Sequence, residues 1–173
     1  TPDNTFPSTA SKIQKNLGCK AISFDIQAVC AGFVYAVSIG VAMLKDGYGD
    51  KCLVIGSDSM SKILDWNDRS TAVLFGDGAG AAIIMTEGEG PNLLGFRSGA
   101  DGSNPSLLHQ PAGGSKQPAS IASIENREHF LKMNGKEIFK SAVRVMEKAT
   151  RELLEANGLA TKDVDHVIPH QAN

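Results

Sequence analysis

Cys30 and His170 are the residues whose types and settings best fit group-transfer chemistry in this chain of 173 residues. Cys30 stands where a stretch rich in β-branched and aromatic residues, Ala21 to Val29, meets an apolar, proline-free run, Ala31 to Leu44. The first stretch reads as a strand with Asp25 buried in it. The second reads as a helix apolar almost all the way round, and so buried on every side. A thiol at such a turn faces the free N–H groups and positive end of the helix, which favour thiolate and lower its pKa. Ala28, Ala31 and Gly32 leave room for a substrate to reach the sulfur. On position alone a buried structural cysteine competes with this reading. His170 follows Pro169 after the strand-like Val164 to Ile168, where α/β proteins place functional side chains at the carboxyl edge of a sheet. A surface histidine is the alternative there. Together, Cys and His are the minimum for an activated thiol: sulfur attacks a carbonyl while imidazole handles a proton or faces an oxyanion. His109, His129 and His166 lie in polar or loop contexts and are expected to be solvated.

The glycine run Gly76-Asp77-Gly78-Ala79-Gly80 resembles a phosphate loop only superficially. It lacks the dinucleotide spacing and the Lys-Ser/Thr of a P-loop, and a strand follows it. Close backbone approach or a tight strand bend is the expected reason for these glycines. Net charge is −2, which argues against a large nucleic-acid surface. The cysteines Cys19, Cys30 and Cys52 are odd in number and lack metal-ligand spacing, so a reducing compartment and no metal are expected. No apolar run reads as a membrane span and no leader stands out, giving a cytoplasmic expectation.

The elements that must hold these residues can be taken in order. Ser8 caps a helix over Thr9 to Leu17, closed by Gly18. The central strand and helix follow, then a turn at residues 46–50. Cys52 to Ser57 is a short buried strand, Ser59 to Ser70 a polar loop or short helix, and Ala81 to Thr86 a second strand. Glu87 to Pro91 is a turn and the best candidate for an internal boundary. Strand-like Leu93 to Arg97 precedes a long polar loop, Ser98 to Ser120. The clearest amphipathic helix runs from Met133 or Asn134 to Asn157, with Ile138, Phe139, Ala142, Val143, Met146, Ala149, Leu153 and Leu154 as its apolar stripe. Strands and helices alternate, so the class is α/β.

Four ordered motifs carry a resemblance over essentially the whole chain. They are FDIQAVCAGFVYAV around Cys30, DWNDRSTAVLFGDGAGAA from Asp65, MNGKEIFKSAV from Met133, and VIPHQAN from Val167. Together they resemble β-ketoacyl-acyl-carrier-protein synthase III, one of the thiolase-like condensing enzymes. The resemblance implies an αβαβα layered fold of two similar halves. Residues 1–90 would be the later part of the N-terminal half and residues 91–173 the first part of the C-terminal half. It further implies that an acyl-CoA, in the first place acetyl-CoA, acylates Cys30. Malonyl-acyl carrier protein then loses carbon dioxide and attacks the thioester, giving 3-oxoacyl-acyl carrier protein and so initiating fatty acid synthesis.

In this family pattern His170 stabilises the developing enolate oxygen, and the N–H of Cys30 contributes to an oxyanion hole. Arg69 matches a contact to the adenine end of CoA, with a salt bridge to Asp65 or Asp68 as the competing reading. Gly135, Phe139, Ala172 and Asn173 match the CoA or pantetheine channel, and Leu74 and Phe75 match the acyl-pocket wall. Phe139 is equally explained as helix core. No cofactor is implied beyond the CoA thioester as substrate, and a homodimer is the family's usual state. The family's catalytic asparagine, in an Asn-Thr-Ser type motif, falls outside the sequence, which makes a partial chain the expectation. A polyketide or alkylquinolone-type condensing enzyme, or a non-catalytic partner domain, are the alternatives. Separately, Lys136, Lys140, Arg144 and Lys148 recur along one side of the last helix. Lys140 and Arg144 are candidates for the dock of an acidic carrier protein, against the alternative of an ordinary solvated face.

Overall fold

The computed structural model describes residues 1–171, so the Ala172 and Asn173 expected in the CoA channel lie outside the described residues. The chain divides into two units, one of residues 1–59 and 77–90 and the other of residues 60–76 and 91–173. The described residues are mixed α and β, with two two-stranded antiparallel sheets.

The first unit is a helix packed on a β-ribbon. Helix α1, Thr9–Leu17, starts at Ser8, whose hydroxyl accepts from Ser11 N–H, and stops at Gly18, where φ is +67°. Helix α2 is Gly32–Lys45. Strands β1, Lys51–Ser59, and β2, Asp77–Met85, pair from Lys51↔Met85 to Ser59↔Asp77. Because strand side chains alternate between faces, Cys52, Val54 and Gly56 share one face with Ile84, Ala82 and Gly80. Helix α2 lies on that face. A Cβ added at Gly40 would stand 2.9 Å from Cys52 Sγ, and one added at Gly56 would stand 3.2 Å from the Phe33 ring. These two glycines let helix and ribbon approach closely, and Val54 and Leu44 are buried between them.

Several expectations for this unit need correction. Residues 21–28 form no strand, because no described strand lies alongside to complete a hydrogen-bond ladder. Asp25 is exposed rather than buried. Its carboxylate accepts 2.8 Å hydrogen bonds from the N–H groups of Thr9 and Ala10, capping α1 from a distance in sequence. Helix α2 is not buried on every side either: only Gly40 and Leu44 are buried, while Val34 is 51% exposed. A two-stranded ribbon covers one face of a helix and no more. The reverse face of the ribbon, Leu53, Ile55, Ile83 and Met85, is likewise exposed. The glycine run belongs to the ribbon itself. Gly78 and Gly80 pair with Asp58 and Gly56, and a Cβ at Gly76, Gly78 or Gly80 would meet nothing within 4 Å, so no backbone crowds them.

The second unit has a small core of loops and short elements. Helix α3, Arg69–Ala72, is capped by Asp68, whose carboxylate accepts from Ser70 N–H at 2.9 Å. Strands β3, Leu108–His109, and β4, Lys132–Met133, pair across a segment that contains α4, Ile121–Glu125. Ser120 and Ser123 cap α4 reciprocally, a serine replacing the usual Glu or Gln. Leu64, Thr71, Ala112 and Ser123 are at most 2% exposed, and Asp65 and Leu131 are also buried. Ala112 thus anchors the long polar stretch, which is not simply a surface loop. Leu131 N–H donates to Ile63 O at 2.9 Å and Ala112 N–H to Glu128 O at 2.9 Å, tying the loops together. Residues 93–97 and 164–168, read as strand-like, have no regular structure.

Helix α5, Gly135–Ala156, begins at Asn134, whose side chain accepts from Glu137 N–H, and ends at Asn157 and Gly158. Its C-terminal half carries Leu153 and Asn157 against Gly95, and Glu152 pairs with Arg97. None of its residues is buried, so Phe139, Val143 and Met146 of the apolar stripe remain exposed.

Candidate active site

Cys30 sits in the single 3-10 turn Val29–Ala31, immediately ahead of α2. Ala31 N–H donates to Ala28 O at 3.0 Å, closing the turn. Val29 has φ +49°, a left-handed conformation that a β-branched residue adopts only against steric strain. Such strain persists where the surrounding fold imposes it. Gly32 opens the helix with no side-chain cap at Ala31, and a Cβ at Gly32 would meet nothing within 4 Å. Cys30 as a whole residue is exposed, although its sulfur is partly shielded from water.

The electrostatics correct one expectation. The Cys30 pKa is raised, not lowered. Protein atoms crowding the sulfur displace water and disfavour the thiolate, and this is the largest influence. The N–H of Cys30 itself opposes it, and the carboxylate of Asp58 adds to it. The cysteine occupies a turn before the helix rather than its first turn, and its neighbourhood is partly dry and carries a negative charge.

The other candidates lie in the second unit. His170 is exposed in irregular chain after Val164. Arg69 is exposed at the start of α3, and neither expected partner holds it. Asp65 is taken by Arg127, whose Nε donates at 2.7 Å and whose Nη2 makes a second bond to the same carboxylate. Asp68 is engaged by Ser70. Leu74 and Phe75 are half-buried just beyond α3, with Leu74 N–H donating to Thr71 O at 3.0 Å. Gly135, Phe139, Lys140 and Arg144 share α5, with Phe139 exposed rather than in a core. Lys140 pairs with Glu137 at 2.9 Å, and Lys148 approaches Glu152 at 3.8 Å. His109 and His129, expected to be solvated, are half-buried, each with an enclosed Nδ1 that has no hydrogen-bond partner among the described residues.

Sequence reasoning missed three features near the candidate residues: the left-handed Val29, the Asp58 charge and the Asp65–Arg127 pair. Asp58 could have been found, because strand alternation from Cys52 through Val54 and Gly56 leads to it. Val29 and Arg127 carry no sequence signal, since their conformation and partner are set by tertiary structure.

Comparison with known proteins places this geometry. The family model for 3-oxoacyl-[acyl-carrier-protein] synthase III matches residues 24–102. The β-ketoacyl-[acyl-carrier-protein] synthase III of Caldanaerobacter subterraneus subsp. tengcongensis is 49% identical over 174 residues, covering 100% of this chain and 53% of that protein. The crystal structure of the synthase III from Thermus thermophilus shares 43% identity with a TM-score of 0.83, covering 100% of this chain and 53% of its own. That from Pseudomonas aeruginosa shares 36% with a TM-score of 0.88, covering 100% and 52%. The mixed α/β fold is that of the thiolase-like condensing enzymes. Within that class the chain is similar, over its whole length, to β-ketoacyl-acyl-carrier-protein synthase III enzymes. It spans about half the length of the curated relatives it matches.

Proposed function

We propose that this chain carries the acyl-accepting part of an acyltransferase that initiates fatty acid synthesis. The sulfur of Cys30 attacks the thioester carbonyl of acetyl-CoA. A new S–C bond forms, the bond to CoA breaks, and CoA leaves as its thiol with the proton that Cys30 gives up. Malonyl-acyl carrier protein then loses carbon dioxide, and its enolate carbon bonds to the acyl carbon as the C–S bond to Cys30 breaks, giving 3-oxoacyl-acyl carrier protein and a Cys30 sulfur that takes a proton from solvent. The observation that carries this reading is the nucleophile turn: the exposed residue Cys30 behind a left-handed Val29, at the start of a helix.

In this reading His170 donates a hydrogen bond to the enolate oxygen as negative charge grows there. Arg69 binds the adenine end of CoA. Gly135 and Phe139, with Ala172 and Asn173, line the pantetheine channel, and Leu74 and Phe75 limit the acyl group. The assembly works as a homodimer in the cytoplasm and needs no cofactor besides its thioester substrates. No helix among the described residues is long and apolar enough to cross a membrane.

The test is the intact mass before and after acetyl-CoA. Gain of one acetyl group, absent in Cys30→Ser, is the expected result. An acetyl group that persists in Cys30→Ser, or none at all in the folded protein, overturns the reading.

Lys140 and Arg144 form part of the carrier-protein dock in the same proposal. Both side chains are on the exposed surface of α5, where an acidic partner would be steered by charge. Lys140→Glu with Arg144→Glu should weaken use of malonyl-acyl carrier protein about tenfold while sparing acylation by acetyl-CoA. Equal loss of both steps would show that the pair serves the fold instead.

A further inference from the structure

Arg127 joins the long segment between β3 and β4 to the turn ahead of α3. Its Nε donates to Asp65 Oδ2 at 2.7 Å, and its Nη2 bonds Oδ1 of the same carboxylate. Close by in the chain, Leu131 N–H donates to Ile63 O at 2.9 Å, so side chain and backbone fasten the same two segments. Arginine is an unusual occupant of this position. It follows the end of α4 with φ +58°, and Glu128 N–H donates back to Ser123 O at 2.8 Å, the arrangement in which a helix commonly stops at glycine. A left-handed arginine carries a conformational cost that glycine would not. What glycine could not supply is the guanidinium.

From Asp65 a ladder of hydrogen bonds runs to Arg69. Asp65 Oδ1 accepts from Asn67 N–H at 3.0 Å, and Asp65 O accepts from Asp68 N–H at 2.9 Å. Asp68 Oδ1 in turn accepts from Ser70 N–H at 2.9 Å, and Asp68 O accepts from Ala72 N–H at 2.9 Å. Leu64 and Asp65 are buried before the turn and Thr71 after it, while Trp66, Asn67, Arg69 and Ser70 are exposed. The backbone under Arg69 is thus fixed on both sides, and the Arg69 side chain takes part in none of these bonds. A helix as short as Arg69–Ala72 does not supply that rigidity by itself.

We propose that Arg127 is a positioning residue for the nucleotide end of CoA: through the Asp65 carboxylate it fixes the turn that presents Arg69. A guanidinium held in place before the ligand arrives lowers the ordering cost of binding. Arg127 acts through Arg69 and does not itself touch CoA. The inference rests on Arg69 contacting the adenine end of CoA.

The experiment is a double-mutant cycle on the affinity for CoA, measured by titration calorimetry at a temperature where every variant is folded. Arg69→Ala should weaken CoA binding about tenfold, the loss of one charge-assisted contact. Arg127→Lys keeps the charge without the planar fork and should weaken it about threefold. Added to Arg69→Ala, Arg127→Lys should cost nothing further, because no guanidinium is left to position. A general loosening of the fold would instead add to the Arg69 effect. Additive losses, or full affinity in folded Arg127→Lys, overturn the proposal and leave the reading of Arg69 standing. Unchanged affinity in Arg69→Ala, or a parent that does not bind CoA, overturns both. Where Arg127→Lys does not fold, the unaltered protein decides. Saturating CoA should slow amide hydrogen exchange across residues 126–131 as well as 66–72, since ordering one end of the pair orders the other. Slowing confined to residues 66–72 overturns the proposal.

Discussion

Gly40→Leu is expected to unfold the first unit at temperatures where the parent is stable, with a loss of about 3 kcal/mol from overpacking. The reason is geometric. Gly40 is buried where α2 presses on β1, and even one added carbon would stand 2.9 Å from Cys52 Sγ and 3.4 Å from Ile84 Cδ1. A leucine has four side-chain carbons and no space to hold them. Gly40→Ala is a finer probe, because alanine favours a helix interior over glycine by about 1 kcal/mol. That gain is set against the contact with sulfur. Removing the sulfur as well should release it, so Gly40→Ala should stabilise in a Cys52→Ala background and do so less, or not at all, in the parent. Thermal melting followed by circular dichroism reads all five proteins. A Gly40→Leu protein that melts with the parent would mean that α2 does not rest on β1 at Cys52.

Arg127→Met should destabilise the second unit strongly at neutral pH, and the difference from the parent should fade as the solution is acidified. Asp65 is buried, and the two-pronged hydrogen bond from the Arg127 guanidinium is the main reason its pKa falls from 3.8 to about 2. Amide bonding from Asn67 lowers it further, and its burial acts in the opposite sense. A carboxyl group whose pKa is depressed on folding stabilises the native state above its ordinary range. That contribution is lost as pH falls from about 4 through about 2. Without Arg127 the carboxylate is buried with no matching charge, and the acid advantage disappears with it. Parent and variant should differ most above pH 4 and converge near pH 2. Arg127→Lys should fall between them, since lysine keeps the charge but not the planar fork. Denaturant titrations at a series of pH values give the comparison. A gap between parent and variant that is the same at every pH would show that stacking of Arg127 over Phe130, 5.0 Å from the ring centre, is what matters there.

Which parts of this fold are legible in the sequence follows from which interactions are local. Helix α1 is read to the residue because its cap, Ser8, and its stop, Gly18, act within a few positions. Helix α5 is read nearly as well from its apolar period and Asn134. The β1–β2 ribbon is visible as two apolar runs, though its pairing begins inside the glycine run rather than after it. What depends on distant partners is not legible. The residues before Cys30 have strand composition, but a strand exists only with a neighbour to pair with. Helix α2 has the composition of a buried helix, yet composition reports what a surface favours and not what covers it. The short α4 escapes because a five-residue helix held by two serines has no period to detect. Among the candidate residues, Cys30 and His170 stand out by residue type and motif. The state of the Cys30 sulfur does not, since it is set by crowding and by a carboxylate 28 positions later in the chain.

The division into two units also distributes the natural chromophores unevenly. The chain has one tryptophan, Trp66, and two tyrosines, Tyr35 and Tyr48. Both tyrosines fall in the unit of residues 1–59 and 77–90, and the tryptophan falls in the other. Excitation at the red edge of the absorption band, where tyrosine is silent, therefore observes one unit alone. Tyrosine signals in the near ultraviolet report the other. Each half of the molecule carries its own optical label without any engineering, so a protein that comes apart in two stages would show it as two non-coincident transitions.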